Sequence, residues 1–294
     1  MTAPAVVTAP SVATSRPAPR RSVASWLLFG AIAVYLLLPM LAVMLYAFAT
    51  VWQARILPDG YTFDHFATVF TEPRIVAAIA RSLVLSFVVT LLDIVIVLPA
   101  AYWSRVRNKR IRPLIEVGAA IPFVLPFLVI AFGIDRLVGM VTPSFQNTIW
   151  ILILGQAAVA FPFLYWSVDG AMSAAGIERL SEAAETCGAR PRQIVWRIVI
   201  PSIRVGIVTG SILVFATTFG EFSLAQVLVG AGFETLPLWQ ADALLQTTGR
   251  FNDLAATTIL SFGLLVVLAA VLVWWGRGQT AQAVPGGGVR VGGR

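Results

Sequence analysis

The sequence predicts an all-α membrane protein of six spanning helices with little soluble mass. Hydrophobic residues make up 58% of its 294 positions, charged residues only 12%, and mean hydropathy is +0.85. Soluble domains carry about 25% charged residues. Six segments are long and apolar enough for a bilayer core that takes about 20 residues per helix. They cover roughly 26–49, 77–103, 114–139, 148–170, 204–229 and 254–276.

Each segment has its own texture. The first follows Arg20 and Arg21 and ends near Ala47 and Ala49, which resembles a cleavage site. A signal peptide has an apolar stretch of about 7–15 residues, and this one is longer, so it reads as a retained anchor. The second contains Asp93 and runs into a basic loop. Pro122 and Pro126 in the third segment and Pro162 in the fourth predict bends. The fifth holds Gly206, Gly210, Thr217 and Glu221, and the sixth is the most uniformly apolar. The tails, 1–25 and 277–294, are rich in Ala, Pro, Ser and Thr or in Gly and cannot bury a core, so disorder is expected.

Basic residues fix the expected topology. Sixteen of the 21 lysines and arginines fall in the two tails and in the loops after segments two and four. By the positive-inside rule, both termini and the 171–203 loop are cytoplasmic. The net charge of +7 therefore flanks membrane segments and meets lipid headgroups; nucleic acid is not an expected partner.

Scarcity excludes much chemistry. One cysteine, Cys187, allows no intrachain disulfide and no thiolate metal cluster. One histidine, His65, excludes a paired-histidine metal helix. The single lysine, Lys109, lies in no phosphate-binding G-x-x-x-x-G-K-[ST] motif. No catalytic residue, cofactor site or metal site is expected on this chain, and any ATP chemistry must come from a partner.

The polar stretch 177–201 is too ordered for a spacer. Ile177, Leu180, Ala183, Ala184 and Cys187 recur at helical spacing beside Glu178, Glu182 and Glu185. Gly188 fits a helix stop and Pro191 the first turn of a second helix. In that helix Ile194, Val195, Ile198 and Val199 can face the membrane, with Arg190, Arg192 and Arg197 toward water and Trp196 at the interface. On residues alone, a docking surface and an amphipathic cover on the bundle end fit equally well.

The stretch resembles the signature loop of permease subunits of type I ABC importers, which reads Glu-Ala-Ala, three residues, Gly, nine residues, Ile, one residue, Leu-Pro. Here stand Glu182, Ala183, Ala184, Gly188, Ile198, Ile200 and Pro201, with Ile200 in place of leucine the sole departure. The resemblance implies the type I importer permease fold over 26–276, with a coupling loop at about 171–203. It implies that the first loop helix docks on a separate ATP-binding subunit, which carries ATP and Mg. Glu182 would make a polar contact there, Ala183 and Ala184 would permit close packing, Gly188 would turn the chain, and Ile198 and Pro201 would anchor the next helix. A second permease subunit, identical or related, and an extracytoplasmic solute-binding protein complete the implied assembly.

Acids inside a membrane are costly and mark function or buried pairing. Gly206, Gly210, Thr217 and Glu221 are expected near one face of the fifth helix, with Gly206 and Gly210 allowing close approach. Glu221, Thr217, Gly210 and Asp93 are candidates for a translocation path or gate. Glu221 fits equally a buried acid holding helices together, and Asp93 a pairing with a basic or hydroxyl group on a neighbour. Asp135 and Arg136 suit a local structural role, and Asp169 is expected to reach water. The resemblance favours the path, since permeases for iron, polyamines, thiamine, molybdate and phosphonates often carry a similar Gly-acid-Phe stretch, here Gly220, Glu221 and Phe222.

The loops 50–76 and 230–253, with Trp52, His65, Phe233 and Trp239, are too short for a domain. Under the resemblance they receive the binding protein; otherwise they are interfacial caps. The texture of 57–62 and 157–162 is closest to the polyamine, phosphonate and iron branch, with a polyamine or aminophosphonate as the expected solute. A self-contained ion-coupled transporter or channel, using Asp93 and Glu221, is the competing class. A membrane-embedded enzyme is poorly supplied with residues.

Overall fold

A computed structural model describes residues 23–50, 52, 57–245 and 250–277. The expected disordered tails lie outside these residues, except that 23–25 and 277 belong to the first and last helices. In chain order the α-helices are α1 (Val23–Phe48), α2 (Asp64–Thr71), α3 (Pro73–Tyr102), α4 (Arg112–Val124), α5 (Phe127–Val141) and α6 (Ile149–Ala174). There follow α7 (Ile177–Thr186), α8 (Pro191–Ile194), α9 (Ile200–Phe219), α10 (Ser223–Leu228), α11 (Leu236–Leu245) and α12 (Phe251–Arg277). Among the described residues the only β pairing is an isolated bridge between Ala49 and Tyr61.

The chain divides into two units, Met1–Val43 and Met44–Arg294. The described part of the first is α1 as far as Val43, apolar all round as befits a helix in lipid. In the second unit α3, α6 and α9 pack most extensively on one another. Their shared core includes Leu85, Val89, Leu164, Val168, Ile203 and Val214. Two glycines let α9 approach α6. A Cβ on Gly206 would fall 2.5 Å from Ala171 Cβ and 2.6 Å from the Ser167 carbonyl oxygen, and one on Gly210 would fall 2.7 Å from Leu164 Cδ1. The expected small-residue contact is therefore made.

Among the described residues five helices are long and apolar enough to cross a membrane, and six if one bent pair counts as a single span. That pair is α4 and α5, which meet at 112°, so the bend expected in the third segment, 114–139, is a full break. The break follows from Pro126. Proline drives the residue before it out of helical conformation, and Leu125 is extended at φ −101°, ψ 137°. Pro162 does not break its helix, since α6 runs on from Ile149 to Ala174.

Two π-helical segments extend the spans at the α7 end of the bundle. Trp103–Arg107 prolongs α3, and Val195–Val199 joins α8 to α9, giving one helical run from Pro191 to Phe219. Pro201 lacks an N–H and cannot close an ordinary turn. In the wider turn before it, the Ile200 N–H bonds the Val195 carbonyl five residues back. The fifth helix ends at Phe219, short of the expected 229, and α10 begins anew at Ser223.

The opposite end is fastened by ion pairs. Arg74 holds Glu234 and Asp242, each at 2.6 Å, and His65 lies between Asp253, at 2.8 Å, and the Ala49 carbonyl, at 3.1 Å. Trp239 is 1% exposed, so it belongs to the core and not to an interfacial cap.

Candidate functional site

Helix α7 is framed by two glycines in left-handed conformation, Gly176 at φ +62° and Gly188 at φ +78°. Its C-terminus closes as a Schellman motif: the Gly188 N–H bonds the Glu185 carbonyl at 2.9 Å and the Ala189 N–H the Ala184 carbonyl at 3.0 Å. Pro191 then opens α8, and the Gln193 side chain accepts the Arg190 N–H at 2.8 Å. The turn expected at Gly188 and the restart at Pro191 are thus formed, and they set a compact helix–turn–helix on the bundle end.

The apolar stripe expected along α7 divides. Ile177 and Ser181 are fully buried and Ala184 is half-buried, whereas Leu180, Ala183 and Cys187 are exposed with Glu182. Burial of Ile177 in the core sets this facing, and ion pairs on the same side add to it. Glu178 receives Lys109 Nζ at 2.9 Å and faces Arg105 Nη1 at 3.7 Å, and Glu185 meets Arg107 Nη2 at 2.7 Å. Lys109, by its hydrogen bond and then its charge, with Arg105 and Arg112 adding attraction, holds the Glu178 carboxyl below its ordinary range against the opposing effect of burial. In the second loop helix Ile194 and Val199 are buried, Val195 and Ile198 half-buried, and Arg190, Arg192, Trp196, Arg197 and Pro201 exposed.

Beneath α7 lies an ion-pair cluster. The Arg105 Nε and Nη2 atoms donate to Asp169 Oδ1 and Oδ2, both at 2.9 Å, and Arg112 Nη2 donates to Asp169 Oδ2 at 3.1 Å. Arg105 is 7% exposed and Asp169 14%. Asp169 was expected to reach water; two arginines from the 103–112 stretch enclose it instead. Nothing in the local sequence of Asp169 reports partners so distant in the chain.

Glu221 is not on the face of α9 that carries Gly206, Gly210 and Thr217, because the helix has already ended. Its carboxylate accepts the N–H groups of Ser223 at 2.7 Å, Leu224 at 2.8 Å and Ala225 at 3.3 Å, capping α10. The side chain is 7% exposed. Gln156 approaches this carboxylate, and neither polar atom of its buried amide has a hydrogen-bond partner among the described residues. Sequence reasoning missed Gln156; its signal was a lone amide in an apolar segment. Thr217 is half-buried, and Gly210 is buried against α6.

Asp93 is 2% exposed, and its Oδ2 has no hydrogen-bond partner among the described residues. The expected pairing with a basic neighbour is absent from the ion pairs of the described residues. Asp93 lines a cavity of about 460 Å³ with Ile96, Leu114, Leu154, Phe161 and Tyr165. No hydrogen bond among the described residues joins Asp93 to Glu221. Asp135 serves locally, receiving Gln146 Nε2 on its carbonyl and on Oδ1.

A core of long apolar helices, a broken span and an exposed helix–turn–helix at one end make up the type I permease fold, and with the family match they define the membrane subunit of an ABC importer. The chain belongs to the family of binding-protein-dependent transport system inner membrane components, whose profile matches residues 93–277. The molybdenum transport system permease protein ModB of Mycobacterium bovis is 32% identical over 225 residues, covering 72% of this chain and 82% of the relative. The spermidine/putrescine transport system permease protein PotB of Haemophilus influenzae is 25% identical over 224 residues, covering 70% and 75%. Among solved structures, a bacterial ABC transporter involved in import of the acidic polysaccharide alginate contains a chain of the same fold. The TM-score is 0.65 at 17% identity, and the match covers 86% of this chain and 95% of that one.

Proposed function

We propose that this permease draws its energy through α7, which docks on a separate ATP-binding subunit carrying ATP and Mg. The observation that carries the reading is the division of α7 into a face held by the bundle and a face left open. Leu180, Ala183 and Cys187 offer the open side, with exposed Glu182 beside them. Ala183 permits close approach of the partner and Ala184 of the bundle, Gly188 makes the turn, and Ile198 and Pro201 tie the loop to α9. Both termini and α7 are cytoplasmic in this reading, residues 26–276 form the translocating domain, and a second permease subunit completes the path. The α2 and α11 end receives the solute-binding protein.

The transported solute is a small charged species. Identity is higher to the molybdenum permease than to the polyamine permease, which favours a small oxyanion, the form in which molybdenum dissolves in water. That ranking counts against the polyamine or aminophosphonate expected from sequence texture. A polyamine is retained as the second reading on one observation, the unpartnered buried carboxylate oxygen of Asp93 beside a cavity. Glu221 acts at the gate as the cap that holds α10 against α5 and α6, with Thr217 and Gly210 on the adjoining helix.

Glu182→Lys combined with Gly188→Pro tests the docking. The doubly substituted subunit is expected to insert normally and to lose copurification with the ATP-binding subunit; wild-type yield of the complex would refute the reading. Uptake of radiolabelled molybdate against spermidine in proteoliposomes containing the full transporter decides between the solutes.

A further inference from the structure

Helix α7 is joined through the backbone to α6, by the turn at Ala175 and Gly176, and to α9, by the stretch 187–199. Neither α3 nor α4 adjoins it in the chain. Yet the segment between those two helices grips it. Lys109 and Arg105 reach Glu178 in its first turn, and Arg107 reaches Glu185 in its last. Glu178 and Glu185 are seven residues apart, two helical turns, and so lie along one side of α7. The same segment is anchored behind by Arg105 and Arg112, which share the Asp169 carboxylate on α6.

We propose that residues 103–112 form a clamp that carries the displacement of α7 into α3 and α4, with Arg105, Asp169, Glu178 and Glu185 as its positioning residues. The proposal rests on the reading of α7 as the helix that docks on the ATP-binding subunit.

Three features support a mechanical role over a ligand site. Each gripping cation has an acidic partner: Arg105, Lys109 and Arg112 face Asp169, Glu178 and Glu116, and Arg107 faces Glu185. The central pair is bidentate and nearly sealed from water, and a planar two-point contact fixes orientation as well as distance. The outer pairs at Lys109 and Arg107 are more exposed, and each alone is weak. Together they hold both ends of a ten-residue helix.

The π-helical turn supplies the geometry. The Asn108 N–H bonds the Trp103 carbonyl five residues back at 2.9 Å, so the turn is one residue wider than an α-turn. Within it Ser104 and Arg105 are buried while Trp103 stays exposed, and Arg105 points at α6 although α3 is apolar above it. Such turns occur often at functional sites. When α7 moves, α6 and α9 follow through the backbone, and the clamp makes α3 and α4 move in the same step.

The test uses the complete transporter, with its ATP-binding subunit and binding protein, in proteoliposomes. Asp169→Asn removes the buried anchor, and Glu178→Gln with Glu185→Gln releases the exposed grip without disturbing the core. Both complexes are expected to copurify the ATP-binding subunit at wild-type yield. ATP hydrolysed per solute imported is expected to rise roughly two- to thirty-fold, the range for residues within a coupling network. An unchanged ratio, with hydrolysis and uptake falling together, would overturn the clamp. Loss of copurification in the double glutamine variant would also overturn it, by assigning those side chains to the docking face. Should Asp169→Asn not accumulate in the membrane, the double glutamine variant decides alone. The Glu182→Lys, Gly188→Pro subunit is run in parallel: its retention of the ATP-binding subunit refutes docking itself, whatever the ratio.

Discussion

The Glu221 carboxylate receives the Leu224 N–H at 2.8 Å, closing the start of α10 at a buried site. Its other oxygen takes the Ser223 N–H at 2.7 Å, so both are engaged by the backbone. Removing a capping side chain costs about 0.5–2 kcal/mol, and a buried site leaves the freed N–H groups without water. Glu221→Ala is therefore expected to lower the detergent melting temperature and to reduce uptake while the transporter still assembles. Glu221→Gln, which keeps one oxygen acceptor, is expected to lie between. Uptake by Glu221→Ala equal to wild type would remove the cap from the gate.

Packing of α9 on α6 makes a sharper stability prediction. A methyl group at Gly206 would press on the Ser167 carbonyl, a backbone atom that cannot rotate away, as well as on Ala171. Gly206→Ala is expected to destabilise the subunit by about 1–3 kcal/mol, the usual cost of overpacking. Gly263→Ala provides the control, since nothing lies within 4 Å of that position. Thermal unfolding of the two variants in the same detergent distinguishes them.

How far these features were legible in the sequence depends on how local their causes are. The α7–α8 loop could be read because Gly188 and Pro191 act on their own backbone. The break at Pro126 was half-legible: a bend was expected, and the extended Leu125 made it a full 112° turn. Glu221 was misplaced because no proline marks the helix end between 204 and 229, and the new start at α10 is made by one side chain's hydrogen bonds. Arg105 and Asp169 lie 64 residues apart, and no periodicity relates them. Only packing of α3 beside α6 brings them into reach.

The contact between Lys109 and Glu178 predicts a direction with pH. Glu178 is held below its ordinary range in the folded protein, chiefly by Lys109. Its contribution is thus fully present above the unfolded carboxyl value of about 4.3 and is lost as pH falls through the lowered folded value. From pH 8 to about 5 the grip on α7 is expected to be constant. Lys109→Gln is expected to move the Glu178 titration midpoint upward, measurable by carbon NMR of a selectively labelled glutamate. A midpoint that stays in place would assign the lowering to Arg105 and Arg112.

The single cysteine reports on docking directly. Cys187 is exposed at the C-terminal end of α7, on the side shared with Leu180 and Ala183. No other thiol exists in the chain to confuse its labelling. In the isolated subunit a water-soluble maleimide is expected to react with it readily, as with an unhindered thiol. In the assembled transporter the ATP-binding subunit is expected to cover that side and slow labelling by about ten-fold or more, as burial of a reactive side chain does for other opening-limited reactions. Release of the partner by the Glu182→Lys, Gly188→Pro substitution is expected to restore the fast rate. Equal rates in the isolated and assembled forms would mean that the open face of α7 stays open, and that the partner binds elsewhere on the bundle.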